Sequence, residues 1–262
     1  MRYSLKLLAA TVFLISSPVE AVVTDNSSVA NSSSVAKSVV NEEVKIAQVE
    51  GKKQRKDEAL RLNKLGLQQL NRGEYREALN NFEQALVIVR EIGELKVEGA
   101  ILNNIGLVYD NLGEYTKALD NYQKSLEIDK QVGDKAGEGT TLNNIGFVYV
   151  KLGEYPKALS YYQQALAIHK QVENKPEEGT TLNNIAHLLK TQKKPKLAIV
   201  FYKQSVNIRE QIRQQLRTLS KQQQESYTKT IAHTYRNLAN LLISQDRILE
   251  AQQVLDLLKV QE

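Results

Sequence analysis

The chain has 262 residues, 35 Lys and Arg against 30 Asp and Glu, a formal net charge of +5, and no cysteine or tryptophan. The missing cysteine excludes a disulfide framework, a thiolate metal site and a cysteine nucleophile. Charges of both signs are interspersed, which argues against a nucleic-acid surface, and the apolar load of Leu, Ile, Val, Ala and Tyr suits helices.

The first 21 residues, MRYSLKLLAATVFLISSPVEA, place Arg2 and Lys6 ahead of an apolar run from Leu7 to Ile15, then Pro18 and Ala21. That layout predicts a secretory signal peptide cut near Ala21, and the run is too short for a membrane span. The mature protein is therefore expected in the periplasm or outside the cell, with no membrane segment. Residues 22–56 are rich in Ser, Asn and Val and then turn charged. They read as a flexible linker with a helical onset near its end. The KKQRK run at 52–56 reads as solvated linker.

Residues 57–219 carry a repeat of 40 residues, in units 61–100, 101–140, 141–180 and 181–219. Gly66, Gly106, Gly146 and Ala186 align, as do Ala78, Ala118, Ala158 and Ala198, and Phe82, Tyr122, Tyr162 and Tyr202. Leu102, Ile105, Gly106 and Tyr109 recur at helical spacing. The NLGEY stretch at 111–115 interrupts that pattern before a second amphipathic helix, and VGDKAG at 132–137 connects to the next unit. Each unit is thus a helix hairpin, and a repeat of this length predicts stacking into a solenoid. Beyond Ile212 the period is lost. Residues 220–262 read as a long helix, with Ser220 as its N-cap, followed by a partial repeat unit.

The residues Leu102, Ile105, Gly106, Tyr109, Ala118, Tyr122 and Ser125, repeated in phase as Leu142, Ile145, Gly146, Tyr149, Ala158, Tyr162 and Ala165, resemble the tetratricopeptide repeat (TPR). The 40-residue unit is similar to that of kinesin light chains and many bacterial TPR proteins. The resemblance implies an all-α, right-handed superhelical solenoid of stacked antiparallel hairpins. It also implies a protein or peptide partner. Residues 235–259 resemble the segment that precedes the caspase-like CHAT domain in cyanobacterial TPR proteins.

No catalytic constellation stands out, so the chain is not expected to be an enzyme, nor to hold a cofactor or metal. His169, His187 and His233 lack metal-ligand spacing and read as exposed or partly packed. The paired asparagines are different. Asn is a mediocre helix former. On a helical wheel Asn103 and Asn104 fall away from the packed face of Leu102, Ile105 and Tyr109. In a TPR superhelix that sector lines the concave groove. Asn104, Asn144, Asn184 and Asn237 would form a row there, with Lys64 at the same place in the first unit. A row of amides offers donors and acceptors to the main chain of an extended peptide. The alternative for these residues is bonding to neighbouring helices. For Asn103, Asn143 and Asn183 the two are evenly matched. Leu107, Asn111, Phe147, Lys151 and His187 would tune side-chain choice. The carboxylate clamp of other TPR proteins is rejected: of Asn63, Leu67, Asn104, Thr140 and Asn144, only Asn104 fits it. The expected function is an exported scaffold that binds an extended peptide or protein segment. Alternatives are an assembly module, monomeric or weakly oligomeric through the C-terminal end, and a regulatory arm of a CHAT-like protease complex.

Overall fold

The computed structural model describes residues 26–259, with side chains from residue 45 onward, so the expected signal peptide at 1–21 lies outside the described residues. The chain divides into two compact units, 1–51 and 52–262. The described part of the first is helical, and its residues 45–51 are exposed. The second consists of consecutive helix hairpins.

The helices are α1 (Asn26–Asn71), α2 (Tyr75–Ile92), α3 (Leu95–Asn111), α4 (Tyr115–Val132), α5 (Lys135–Lys151), α6 (Tyr155–Gln171), α7 (Lys175–Thr191), α8 (Pro195–Gln215), α9 (Lys221–Ile243) and α10 (Ile248–Asp256). A short 3-10 turn, Leu216–Thr218, precedes α9. No strand occurs among the described residues, and no helix there is long and apolar enough to cross a membrane. Odd- and even-numbered helices pair as hairpins. Successive odd helices also touch, α3 with α5 and α5 with α7, which makes the array a solenoid.

The turns follow from their glycines. Gly73, Gly113 and Gly153 sit at φ of 77°, 75° and 76°, the left-handed region that ends a helix. There Glu114 N–H donates back to Tyr109 O at 2.9 Å, and Ala118 N–H donates to Glu114 O at 3.0 Å, so the next helix opens at once. At the other turns Asp134 caps α5 by accepting from Gly137 N–H at 3.1 Å, and Asn174 caps α7. Ser220 caps α9, as the sequence predicts, and Gln223 completes a capping box there.

Packing is set by small residues opposite large ones. Tyr122 packs against Gly106, where an added Cβ would meet its ring at 2.5 Å. Phe82 over Gly66 and Tyr162 over Gly146 repeat this contact. Ala78, Ala118, Ala158 and Ala198 are fully buried between paired helices.

Two expectations are corrected. Residues 26–56 are helical, where a flexible linker over 22–56 with a helical onset only near its end was expected. Over 52–62 the reason is visible: Lys56 pairs with Glu94 at 2.8 Å, Arg55 pairs with Glu91, and Ala59 and Leu62 are buried. The KKQRK run is thus exposed but anchored by ion pairs. The connection expected at 132–137 is also shorter, because the Asp134 cap starts α5 at Lys135.

Candidate functional site

Between the first three odd helices lies an open hollow of about 650 Å³. Its walls come from Lys56, Leu60 and Asn63 of α1, from Lys96, Val97, Ala100, Asn103 and Asn104 of α3, and from Ala136, Gly137, Thr140 and Thr141 of α5. Ser125 and Asp129 of α4, both buried, form its floor. The size falls within the range of ligand pockets.

The asparagine pairs join one odd helix to the next. Asn104 Nδ2 donates to Asn63 Oδ1 at 2.9 Å, Asn144 Nδ2 to Asn103 Oδ1 at 3.0 Å, and Asn184 Nδ2 to Asn143 Oδ1 at 3.1 Å. The second amide of each pair donates and the first amide of the preceding pair accepts. Thr181 adds a hydroxyl donor to Asn143 at 3.2 Å, whereas Thr141 Oγ1 lies 3.5 Å from Asn103 Oδ1 and gives its proton to Asp129 at 3.1 Å. Bonding between neighbouring helices, the alternative left open by the sequence, is therefore present. Asn104, Asn144 and Asn184 remain half-buried, and each keeps a second N–H and its Oδ1 beyond these bonds.

The row has two ends. Lys64, exposed, stands where a donor would be, and no described hairpin precedes it. At the other end Asn183 Oδ1 is buried without a partner. Asn237, half-buried on α9, makes no bond to it, because the longer α8 and the 3-10 turn break the 40-residue stacking.

The remaining predicted residues divide. Leu107 packs partly into the core. Asn111 Nδ2 donates to the Leu107 carbonyl of its own helix at 2.8 Å. Lys151 is held by Asp110, a buried carboxylate, at 2.9 Å, and its Nζ lies 4.8 Å from the exposed Phe147 ring. His187 is exposed. His169 corrects the expectation of exposed or partly packed histidines. It is 0% exposed, and neither ring nitrogen has a partner. It closes against Gly139, whose missing Cβ leaves it room. No metal-holding cluster of His, Asp and Glu occurs among the described residues.

The electrostatics centre on Asp129. Lys56 and Lys96 are engaged by Glu94 and Asp134, the latter pair at 2.9 Å. The Lys56 hydrogen bond holds the Glu94 carboxyl below its usual range, and Lys96 does the same for Asp134. Burial pushes Asp129 the other way, up to about 6. Sequence reasoning missed the 94–100 and 134–140 lining because it read residues such as 132–137 as connection, although α3 starts at Leu95 and α5 at Lys135. Gly93 and Gly133, followed by Glu94 and Asp134, and Pro176 in the first turn of α7, are the start signals that would have found it. A second hollow of about 620 Å³, also missed, lies near the end of α8 between Arg213, Arg217, Tyr227 and Leu257.

A solenoid of helix hairpins with polar amides between its odd helices defines a repeat scaffold. The tetratricopeptide repeat profile matches residues 57–131 and 137–211, so the chain belongs to the tetratricopeptide repeat family. No curated protein matches it. Among solved structures it is similar to BtubC (BKLC) from P. vanneervenii, with TM-score 0.64 and 19% identity over 86% of this chain and 87% of that one. It is similar to Pseudomonas aeruginosa pilF, with TM-score 0.55 and 21% identity over 81% and 80%. The Rap conjugation gene regulator of plasmid pLS20, in complex with the Phr* peptide, matches at TM-score 0.58 and 14% identity over 74% of this chain and 50% of that one. These likenesses describe the fold.

Proposed function

We propose that the protein is an exported interaction scaffold that binds an extended peptide, or an extended segment of a protein, along the face of its odd helices. The hollow between α1, α3 and α5 carries this reading. It combines apolar walls with half-buried amides that keep hydrogen-bonding capacity after joining the units. The related fold of a Rap regulator solved with a peptide supports it. Export rests on the charged and apolar order of residues 1–21. The N-terminal sequence of the protein recovered from its host should begin at Val22, and recovery with Met1 intact would overturn export.

The groove is tested by filling it. Ala100 is an exposed position within the hollow, so Ala100→Trp blocks the site without entering the core. Cross-linked partners recovered with the unaltered protein should be lost with this variant while its thermal melt is unchanged. Retention of every partner would reject groove binding.

A second reading is assembly through the last hairpin, favoured by Leu249 and Ile248, which are 82% and 57% exposed. Light scattering would then show an oligomer that Leu249→Glu dissolves. The regulatory-arm alternative rests on the resemblance of residues 235–259 alone.

A further inference from the structure

We propose that the hollow over α1, α3 and α5 receives the cationic side chain of a lysine or arginine from the bound peptide, with Asp129 as the carboxylate that meets it. The inference rests on the groove reading above and specifies one position of the ligand.

Asp129 is 4% exposed, yet it lines the hollow. Its Oδ2 accepts from Thr141 Oγ1 at 3.1 Å, and Ser125 Oγ, which donates to the Gly99 carbonyl at 2.9 Å, lies 3.5 Å from it. Its Oδ1 accepts no hydrogen bond among the described residues. Two glycines keep that oxygen uncovered. A Cβ at Gly137 would lie 2.8 Å from it, and one at Gly99 would lie 3.0 Å from it. Any larger residue at either place would crowd the approach.

A buried carboxylate without a counter-charge is costly. The nearby cations do not supply one, since Lys56 is paired with Glu94 and Lys96 with Asp134. Those two pairs cancel, so the hollow's net charge is that of Asp129. Leu60, Val97 and Ala100 line the way in. Apolar walls leading to a charged floor suit the long aliphatic stem and terminal cation of Lys or Arg. The positions 40 residues apart from Asp129 are Val89, His169 and Arg209, so the carboxylate occurs in one joint of the series. A repeated amide row cannot set the register of a peptide, whereas a single anionic floor can.

Binding should also depend on pH. Asp129 is raised to about 6 by burial, with Asp134 and Glu138 adding to the rise and Thr141 and Ser125 opposing it. The charged groups around it are Lys56 from α1, Glu94 and Lys96 at the start of α3, and Asp134, Lys135 and Glu138 at the start of α5. A cation needs the ionised carboxylate, so affinity falls as pH drops through 6 and is about tenfold weaker at pH 5 than at pH 7.

The test is a nuclear magnetic resonance titration of the full chain with capped pentapeptides, alanine throughout except for a central Lys, Arg, norleucine or Glu. The Lys and Arg peptides should shift the amides of Asn103, Asn104, Gly137 and Thr141 and bind at least tenfold tighter than the norleucine peptide. Asp129→Asn should bring the Lys peptide to the norleucine level without changing the norleucine affinity. Should that variant not fold, the pH 5 to pH 7 comparison on the unaltered protein carries the same information. Equal binding of Lys and norleucine peptides along Asn104 and Asn144 would overturn the cation site and leave the groove standing. Shifts confined to other surfaces, or none at millimolar peptide, would overturn both.

Discussion

Each odd helix ends on a left-handed residue, and the identity of that residue decides how much strain the turn holds. Gly73, Gly113 and Gly153 meet the requirement at no steric cost, but the fourth turn places Lys193 at φ 57°. An L-residue there costs about 1–2 kcal/mol, partly offset by the lower entropy of a non-glycine unfolded chain. Lys193→Gly should therefore stabilise the protein by about 0.5–1 kcal/mol, seen as a higher melting temperature. Gly146→Ala should do the reverse, by about 1–3 kcal/mol, because its Cβ would sit 2.8 Å from the Tyr162 ring. Equal melting temperatures for either variant and the parent would contradict this account of the turn or the packing. The first three turns are legible in the sequence because glycine announces them. The turns at Glu173 and Lys193 are not, since neither residue signals a positive φ and only stacking on neighbouring units imposes it.

Between elements, the amides work as joints. The helix pattern and the small-opposite-large packing are readable from spacing, and so is the polar sector that holds the asparagines. The direction of their bonds is not, because it depends on the offset between stacked helices. That offset pairs Asn144 with Asn103, 41 residues back, and leaves equivalent positions unpaired. A double-mutant cycle on Asn103→Ala and Asn144→Ala should give a coupling of about 0.5–1.5 kcal/mol in denaturant unfolding. Additive effects would show that the two amides prefer water to each other. The cycle also separates the roles proposed for Asn144. A joint residue changes stability in the absence of ligand, whereas a purely ligand-binding one changes only affinity.

Across the 52–262 array, stability is a sum of unit and joint contributions, so a weak joint sets local opening. One position of each joint runs through Val89, Asp129, His169 and Arg209, all buried. Their lack of common chemistry hides this row in the sequence, which is why His169 reads as an exposed or partly packed histidine until the fold is known. Two of these groups titrate against folding in opposite directions. The fold holds Asp129 protonated up to about pH 6, whereas the unfolded chain releases that proton near pH ~4. Its contribution to stability therefore falls as pH rises from about 4 to 6 and is flat above. Burial holds His169 neutral to lower pH than usual, against the opposing field of Glu178. The unfolded chain takes up that proton as pH drops below about 6.5, so the His169 contribution falls with falling pH. The two slopes oppose each other, and substitution separates them. Asp129→Val, which copies the residue of the first unit, should gain on the order of 2–3 kcal/mol more at pH 8 than at pH 4 relative to the parent. His169→Leu should gain more at pH 5 than at pH 8. Melting curves at those pH values decide it: pH-independent differences would mean that neither joint withholds its group from its ordinary titration. If the Asp129 slope is present, a bound cation removes its cause. The lysine peptide should then raise the melting temperature of the parent at pH 8 more than the norleucine peptide does, and raise that of Asp129→Val no more than the norleucine peptide does.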